Sequence, residues 1–413
     1  MAQKQTAPAL PLMARQPLST IYTVWYLSNI LARLPYWILK FALFPSLRPV
    51  PTWTLKQSLM VTLTKAIVIG ACTTQTSVPL SLEPGKEKEQ WVIAQPTSEA
   101  DYVGPLKNDL VKPAPVGITC YPRKGAPTAT TTTNEQSSLL SSSSAEMVVL
   151  HVHGGGFVIG DGRIAQMGFG ASMLLRHAGV SRVYCPQYRL SCRPDPVPFP
   201  GALQDVLTSY LYLIRDLGIP PENIVLSGDS AGGNLIIGLL RYLVEYPLEK
   251  VPSLPHSAIL VSPWVAPVDT LGPDLVLTSN PHYDTDILSP VFLRWGTSAY
   301  ARLVSAKDPY ISPMGHPFVT PVPMFVTVGS AEVLRIEGER WVREMRDVTD
   351  EGIGREKERK KNDIELNYEE GAPHDTLLIG GNMGFEDSVR EVTTKIGEFI
   401  RRKSWALSLA DST

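Results

Sequence analysis

The chain has 413 residues, 44% of them hydrophobic and 19% charged, with a net charge of −2 at pH 7. That length accommodates one large α/β domain with an extension. The near-neutral balance removes any electrostatic case for a nucleic-acid partner. The four cysteines form no Cys-x-x-Cys pair, which argues against a metal site and against a disulfide framework.

In chain order, residues 1–17 are polar and expected to be disordered. Residues 18–90 read as an apolar helical cap or membrane-contacting segment, built from an aromatic and aliphatic stretch at 18–44 and a second helix-compatible stretch at 54–72. Residues 21–44 have the length of a membrane span, but Arg33 near the centre costs roughly 3 kcal/mol in a bilayer. Pro35 is expected to interrupt the helix. A buried cap, or peripheral membrane contact through residues 18–72, is therefore expected rather than a clean span. No small-residue cleavage site follows an uninterrupted apolar core, so the expected location is cytoplasmic or on the endoplasmic-reticulum membrane, without secretion.

Residues 91–405 read as one α/β domain. It opens with antiparallel strands between 91 and 121 and makes a low-complexity Thr/Ser excursion at 126–145. From residue 147, apolar strand-like runs alternate with helix-like ones, the pattern of a mostly parallel central sheet flanked by helices. Cys185 falls within one such run, 182–187, and reads as a core residue.

Two glycine motifs carry chemistry. His153-Gly154-Gly155-Gly156 follows the apolar run 147–152. Consecutive glycines there allow backbone N–H groups to point into a cleft, where they stabilise the oxyanion of acyl transfer; losing one such donor costs about 3 kcal/mol. A phosphate cradle is the rival reading. It fails because no Gly-Lys-Ser/Thr follows and Phe157-Val158-Ile159 continues apolar. Downstream, Gly228-Asp229-Ser230-Ala231-Gly232 lies between the apolar run 223–227 and a helix-like stretch at 233–246. A strand, a tight turn and a helix would push the Ser230 hydroxyl out at the helix N-terminus.

A nucleophilic serine needs a base, and the base needs an orienting acid. Of seven histidines, only His374, in Gly371-Ala372-Pro373-His374-Asp375, lies on a loop after the last strand-like run, in the chain order serine, acid, histidine. For the acid, the apolar run 323–329 ends at Gly329 with no aspartate between Val328 and Arg340. Glu332, nearest the strand end, is preferred to Glu337.

These stretches, with Tyr188-Arg189-Leu190, Phe199 to Asp205, Asp308 to Pro313 and Glu332 to Arg335, resemble the hormone-sensitive-lipase-like branch of the α/β-hydrolases. That branch includes arylacetamide deacetylases and fungal steryl acetyl hydrolases. The resemblance runs from about residue 147 to 400. It implies an α/β-hydrolase fold with an N-terminal helical cap, Ser230 as nucleophile, His374 as base and Glu332 as acid. It implies oxyanion N–H groups from Gly155, Gly156 and Ala231, support from His153 and Asp229, and neither cofactor nor metal. Two departures stand out: many members carry an aspartate where this chain has Glu332, and a charged run at 355–361 separates acid from histidine. The expected activity is hydrolysis of short-chain, for example acetyl, esters of a hydrophobic sterol, terpenoid or polyketide. Condensation, cyclisation or acyl transfer on the same residues remains an alternative. A ligand-binding protein on a hydrolase scaffold is a further one, disfavoured because no triad member is missing.

Overall fold

The apolar runs beyond residue 91 alternate side chains between two faces, and they pair into a single eight-stranded sheet. The computed structural model describes residues 10–122, 146–248, 253–348 and 361–410. The strands are β1 (Trp91–Ala94), β2 (Val116–Tyr121), β3 (Val148–Val152), β4 (Arg182–Gln187), β5 (Ile224–Asp229), β6 (Ser257–Val261), β7 (Met324–Gly329) and β8 (Ile364–Glu369). Their order is β1-β2-β4-β3-β5-β6-β7-β8, with β1 and β2 antiparallel and the remaining six strands parallel to one another. The expected Thr/Ser excursion at 126–145 and the charged run at 355–361, Lys361 apart, lie outside the described residues.

The helices are α1 (Leu18–Leu43), α2 (Leu55–Thr73), α3 (Ile164–Met173), α4 (Gly201–Arg215), α5 (Ala231–Glu245), α6 (Asp274–Thr278), α7 (Pro290–Tyr300), α8 (Arg335–Asp347), α9 (Thr376–Met383) and α10 (Glu386–Ala410). Leu150, Leu226 and Val326 pack on the sheet face covered by α4, α5 and α8, whereas Val149, Val225 and Phe325 pack on the face covered by α3, α9 and α10. Each such side chain removed from water contributes roughly 1.5–3 kcal/mol, which fixes strand register on both faces.

At the N-terminus, order begins earlier than expected: Leu12–Ala14 forms a short helical turn, and Arg15 donates to the Leu10 carbonyl at 2.8 Å. Helix α1 also runs unbroken through Pro35, contrary to the expected interruption. Proline removes one rung of the hydrogen-bond ladder, and the neighbouring rungs and the packing on α2 carry the helix across it. Helix α2 begins in a capping box between Thr54 and Gln57. It seats on the sheet domain through a small separate core of Trp53, Val61, Ile287, Ala331, Met383 and Phe385. Among the described residues, α2 is one helix long and apolar enough to cross a membrane by length and composition.

Candidate active site

Ser230 sits between the C-terminal end of β5 and the first residue of α5, at φ +50° and ψ −116°. That strained conformation is held by Ser230 N–H donating to the Val261 carbonyl at 2.9 Å and by Trp264 N–H donating back to the Ser230 carbonyl at 3.0 Å. The flanking glycines are steric requirements. A Cβ on Gly228 would lie 2.5 Å from the Gly232 backbone, and one on Gly232 would lie 1.9 Å from the Val152 carbonyl oxygen. Only residues without a side chain let α5 turn back this closely on β3.

The loops after β7 and β8 bring the expected acid and base to the same place. His374 Nε2 lies 2.9 Å from Ser230 Oγ, and His374 Nδ1 lies 3.3 Å from Glu332 Oε2. All three side chains are buried. Burial works against a charged imidazole, but the hydrogen bond and charge of Glu332, with Asp286 and Asp375 behind it, outweigh burial and raise the proton affinity of His374. Glu337 lies elsewhere: its carboxylate accepts from the backbone N–H groups of Ala266 and Val265, and burial together with Asp269 and Glu332 pushes it up to about 8.

The loop after β3 lies against the nucleophile. A Cβ on Gly154 would be 3.0 Å from Ser230 Cβ, while Gly155 and Gly156 adopt φ of +106° and +59°. Ala231 opens α5, so its N–H belongs to the first turn, which has no intrahelical acceptor. An aromatic wall closes over this loop. The Phe292 ring would meet a Cβ on Gly156 at 3.0 Å, Gly296 presses on the Gly156 carbonyl, and Phe157 stacks on Tyr300 at 4.0 Å between ring centres.

Asp229 ties these loops together. Its Oδ2 accepts the Gly154 N–H at 2.6 Å and its Oδ1 lies 3.0 Å from His151 Nε2. Burial pushes His151 down to about 4, so it is neutral and its Nε2–H donates to Asp229. Asp375 is driven well up by burial and by Asp229, with which its side chain is hydrogen-bonded. The pair links the residue before the nucleophile to the residue after the histidine. His153 stacks on Tyr188 at 4.2 Å and contacts the Gly154 carbonyl at 2.7 Å, bracing the glycine loop from behind. Asp205 forms a two-pronged ion pair with Arg189 that anchors α4.

Sequence reasoning missed two carboxyl groups here, Asp375 and Asp286. Adjacency to His374 is the signal that could have found the first. Nothing in the sequence points to the second. Among the described residues no group of three His, Cys, Asp or Glu side chains is arranged to hold a metal ion, and all four cysteines are free.

A family model described as alpha/beta hydrolase fold matches residues 149–375. An acetyl-hydrolase from Streptomyces hygroscopicus is 30% identical over 190 residues, 45% of this chain and 57% of that protein. Steryl acetyl hydrolase 1 from Saccharomyces cerevisiae is 26% identical over 119 residues, 28% of this chain and 26% of that protein. The chain thus spans about half the length, or less, of such curated relatives. Among solved structures, an esterase of the bacterial hormone-sensitive lipase family superposes with a TM-score of 0.52 at 21% identity, covering 91% of this chain and 98% of that one.

Proposed function

This chain belongs to the α/β-hydrolase fold family, and from that premise we propose that it is a serine carboxylic-ester hydrolase working through an acyl-enzyme on Ser230. The observation that carries the reading is the relay from Ser230 Oγ through His374 to Glu332, at 2.9 and 3.3 Å. His374 Nε2 takes the Ser230 proton as Oγ attacks the ester carbonyl carbon. The N–H groups assigned to the oxyanion are those of Gly155, Gly156 and Ala231. Collapse of the tetrahedral intermediate breaks the bond to the alcohol oxygen, which takes the proton from His374. Water, deprotonated by the same nitrogen, then attacks the acyl carbon, and the carboxylic acid leaves as Ser230 recovers its proton.

The substrate we assign is a short-chain, acetyl-type ester of a hydrophobic metabolite such as a sterol, terpenoid or polyketide. The aromatic wall of Phe292 and Phe157 beside Gly156 supports a short acyl group, as do the names of the acetyl-hydrolase relatives. The apolar N-terminal helices support a hydrophobic alcohol.

We further propose that these helices rest on an anionic membrane surface. Ile21, Trp25, Leu31, Leu39 and Leu43 of α1 are exposed. The chain holds seven Lys and Arg residues, and no Asp or Glu, before Glu83. An apolar stripe on a segment of net positive charge is complementary to acidic lipid headgroups, each cation near the surface adding about 1 kcal/mol, although Lys56 pairs with Glu386 and Lys65 is turned onto Tyr283.

Turnover of p-nitrophenyl esters from acetyl to palmitoyl, with Ser230→Ala as the control, tests the activity. Release that peaks at the shortest acyl groups and vanishes in the variant is the expected result. No release from any ester by folded protein would replace hydrolysis with a dedicated condensation, cyclisation or acyl-transfer step.

A further inference from the structure

We propose that Asp286 is a positioning residue of this site: a buried carboxylate that holds the acid loop and the base loop in register and adds its charge behind His374. The inference rests on the assignment of Ser230, His374 and Glu332 as the triad. Asp286 lies between the turn Tyr283–Thr285 and α7, on no strand of the sheet, and is fully buried. Its Oδ2 accepts the Val333 N–H at 2.6 Å. Its Oδ1 accepts the Ile287 N–H at 2.6 Å and, at a longer 3.4 Å, the N–H of His374 itself. One side chain thus bridges the residue after the acid and the backbone of the base.

Its neighbours complete the grip. Thr285 Oγ1 donates to the Ala331 carbonyl at 2.7 Å, and Asn280 Nδ2 donates to the Val333 carbonyl at 3.1 Å. Both residues that flank Glu332 are therefore held by the single segment 280–286. That segment is fastened in turn to the N-terminal cap. Lys65 of α2 donates to the Tyr283 carbonyl and lies 3.5 Å from the centre of the Tyr283 ring. The triad geometry is set from outside the sheet, along a line from α2 through Tyr283 and Asp286 to Glu332 and His374.

A plain structural clamp would influence folding alone. Asp286 also brings a charge to the base. The groups facing His374 are Glu332 from the β7–α8 loop, Asp286 from the cap segment, Asp375 from its own loop and Asp229 from the elbow. Those facing Asp286 are Lys65 from α2, His282 from its own segment, Glu332 and His374. These acidic groups favour the imidazolium, and removing the charge of Asp286 lowers the proton affinity of His374.

The test compares Asp286→Asn with wild type on a short-chain p-nitrophenyl ester, measuring kcat, KM, the pH profile of kcat/KM and the melting temperature. The expected result is a fall in kcat of about 10²-fold at unchanged KM, as for a misplacement of the reacting groups. The acid limb of kcat/KM moves to lower pH along with it. An unmoved limb overturns the proposal whether or not kcat falls, and so does an unchanged kcat. Should Asp286→Asn fail to fold, Thr285→Val decides. It removes the hydroxyl that holds Ala331 and leaves every charge in place, so kcat falls while the limb stays put; wild-type kcat in that variant overturns the clasp. Full hydrolysis by Ser230→Ala would instead sink the triad assignment and leave the Asp286 contacts without a catalytic meaning.

Discussion

Glu332 carries one methylene more than the aspartate found in many proteins of the resembling branch, and with that reach its carboxylate stands 3.3 Å from His374 Nδ1. Replacing it by glutamine keeps the shape and removes the charge that selects the productive imidazole tautomer, a change expected to lower kcat by about 10⁴-fold. Glu337→Gln, whose parent carboxylate is held by the backbone of Val265 and Ala266, should leave kcat within severalfold of wild type. The same assay run across pH reads the base. Burial lowers the proton affinity of His374 and Glu332 more than restores it, so the imidazole titrates above its ordinary value of about 6.5. A general base must be neutral. Activity is therefore lost as pH falls through that raised value, and an acid limb at or below the ordinary one would contradict the assignment.

At the scale of elements, the N-terminal helices are fastened to the loops that carry the acid and the base. Trp53, just ahead of α2, donates its indole N–H to the Gly371 carbonyl at 2.6 Å and meets Phe385 edge-on at 5.6 Å. Gln57 donates to the Gly384 carbonyl at 2.9 Å. Gly371 lies three residues before His374, so loss of Trp53 loosens both the cap and the base loop. Trp53→Ala is expected to cost about 3–5 kcal/mol, the range for emptying a buried aromatic site. Thermal or denaturant unfolding measures that loss, and active-site titration with a fluorophosphonate counts the competent fraction. A loss of less than about 1 kcal/mol would mean that the cap is not part of the folding unit.

For the whole molecule, the prediction concerns the uneven distribution of charge. The chain carries 40 Asp and Glu residues, yet none before Glu83, while α1 exposes an apolar stripe. Sedimentation of the full chain with vesicles should show binding to phosphatidylcholine–phosphatidylserine mixtures that weakens with salt, and little binding to phosphatidylcholine alone. The double variant Ile21→Glu, Leu31→Glu alters only exposed positions, so it should fold normally and lose the binding. Equal binding by wild type and variant would remove the membrane from the proposal.

The sequence alone determined whatever depends on contacts between near neighbours. Gly228 and Gly232 mark the elbow because a Cβ at either position collides within a few residues or with the adjacent strand. The triple glycine after β3, the histidine on a Gly/Pro loop and the alternation of strands with helices are legible for the same local reason. Glu332 and Glu337 could be ranked but not separated, since six residues of a loop and helix start hold both and only the approach of the β8–α9 loop selects one. The continuity of α1 across Pro35 was misread because local propensity lacks the packing against α2. Asp286 was invisible, and so was the pairing of Asp375 with Asp229, whose supporting role alone was expected. Their meaning arises where segments far apart in the chain are brought to the same end of the sheet, and no periodicity records which buried carboxylate will face which loop. The sheet's topology decided that, by bringing the ends of β5, β7 and β8 to one edge of the sheet beneath one cap, with only β6 between the first two.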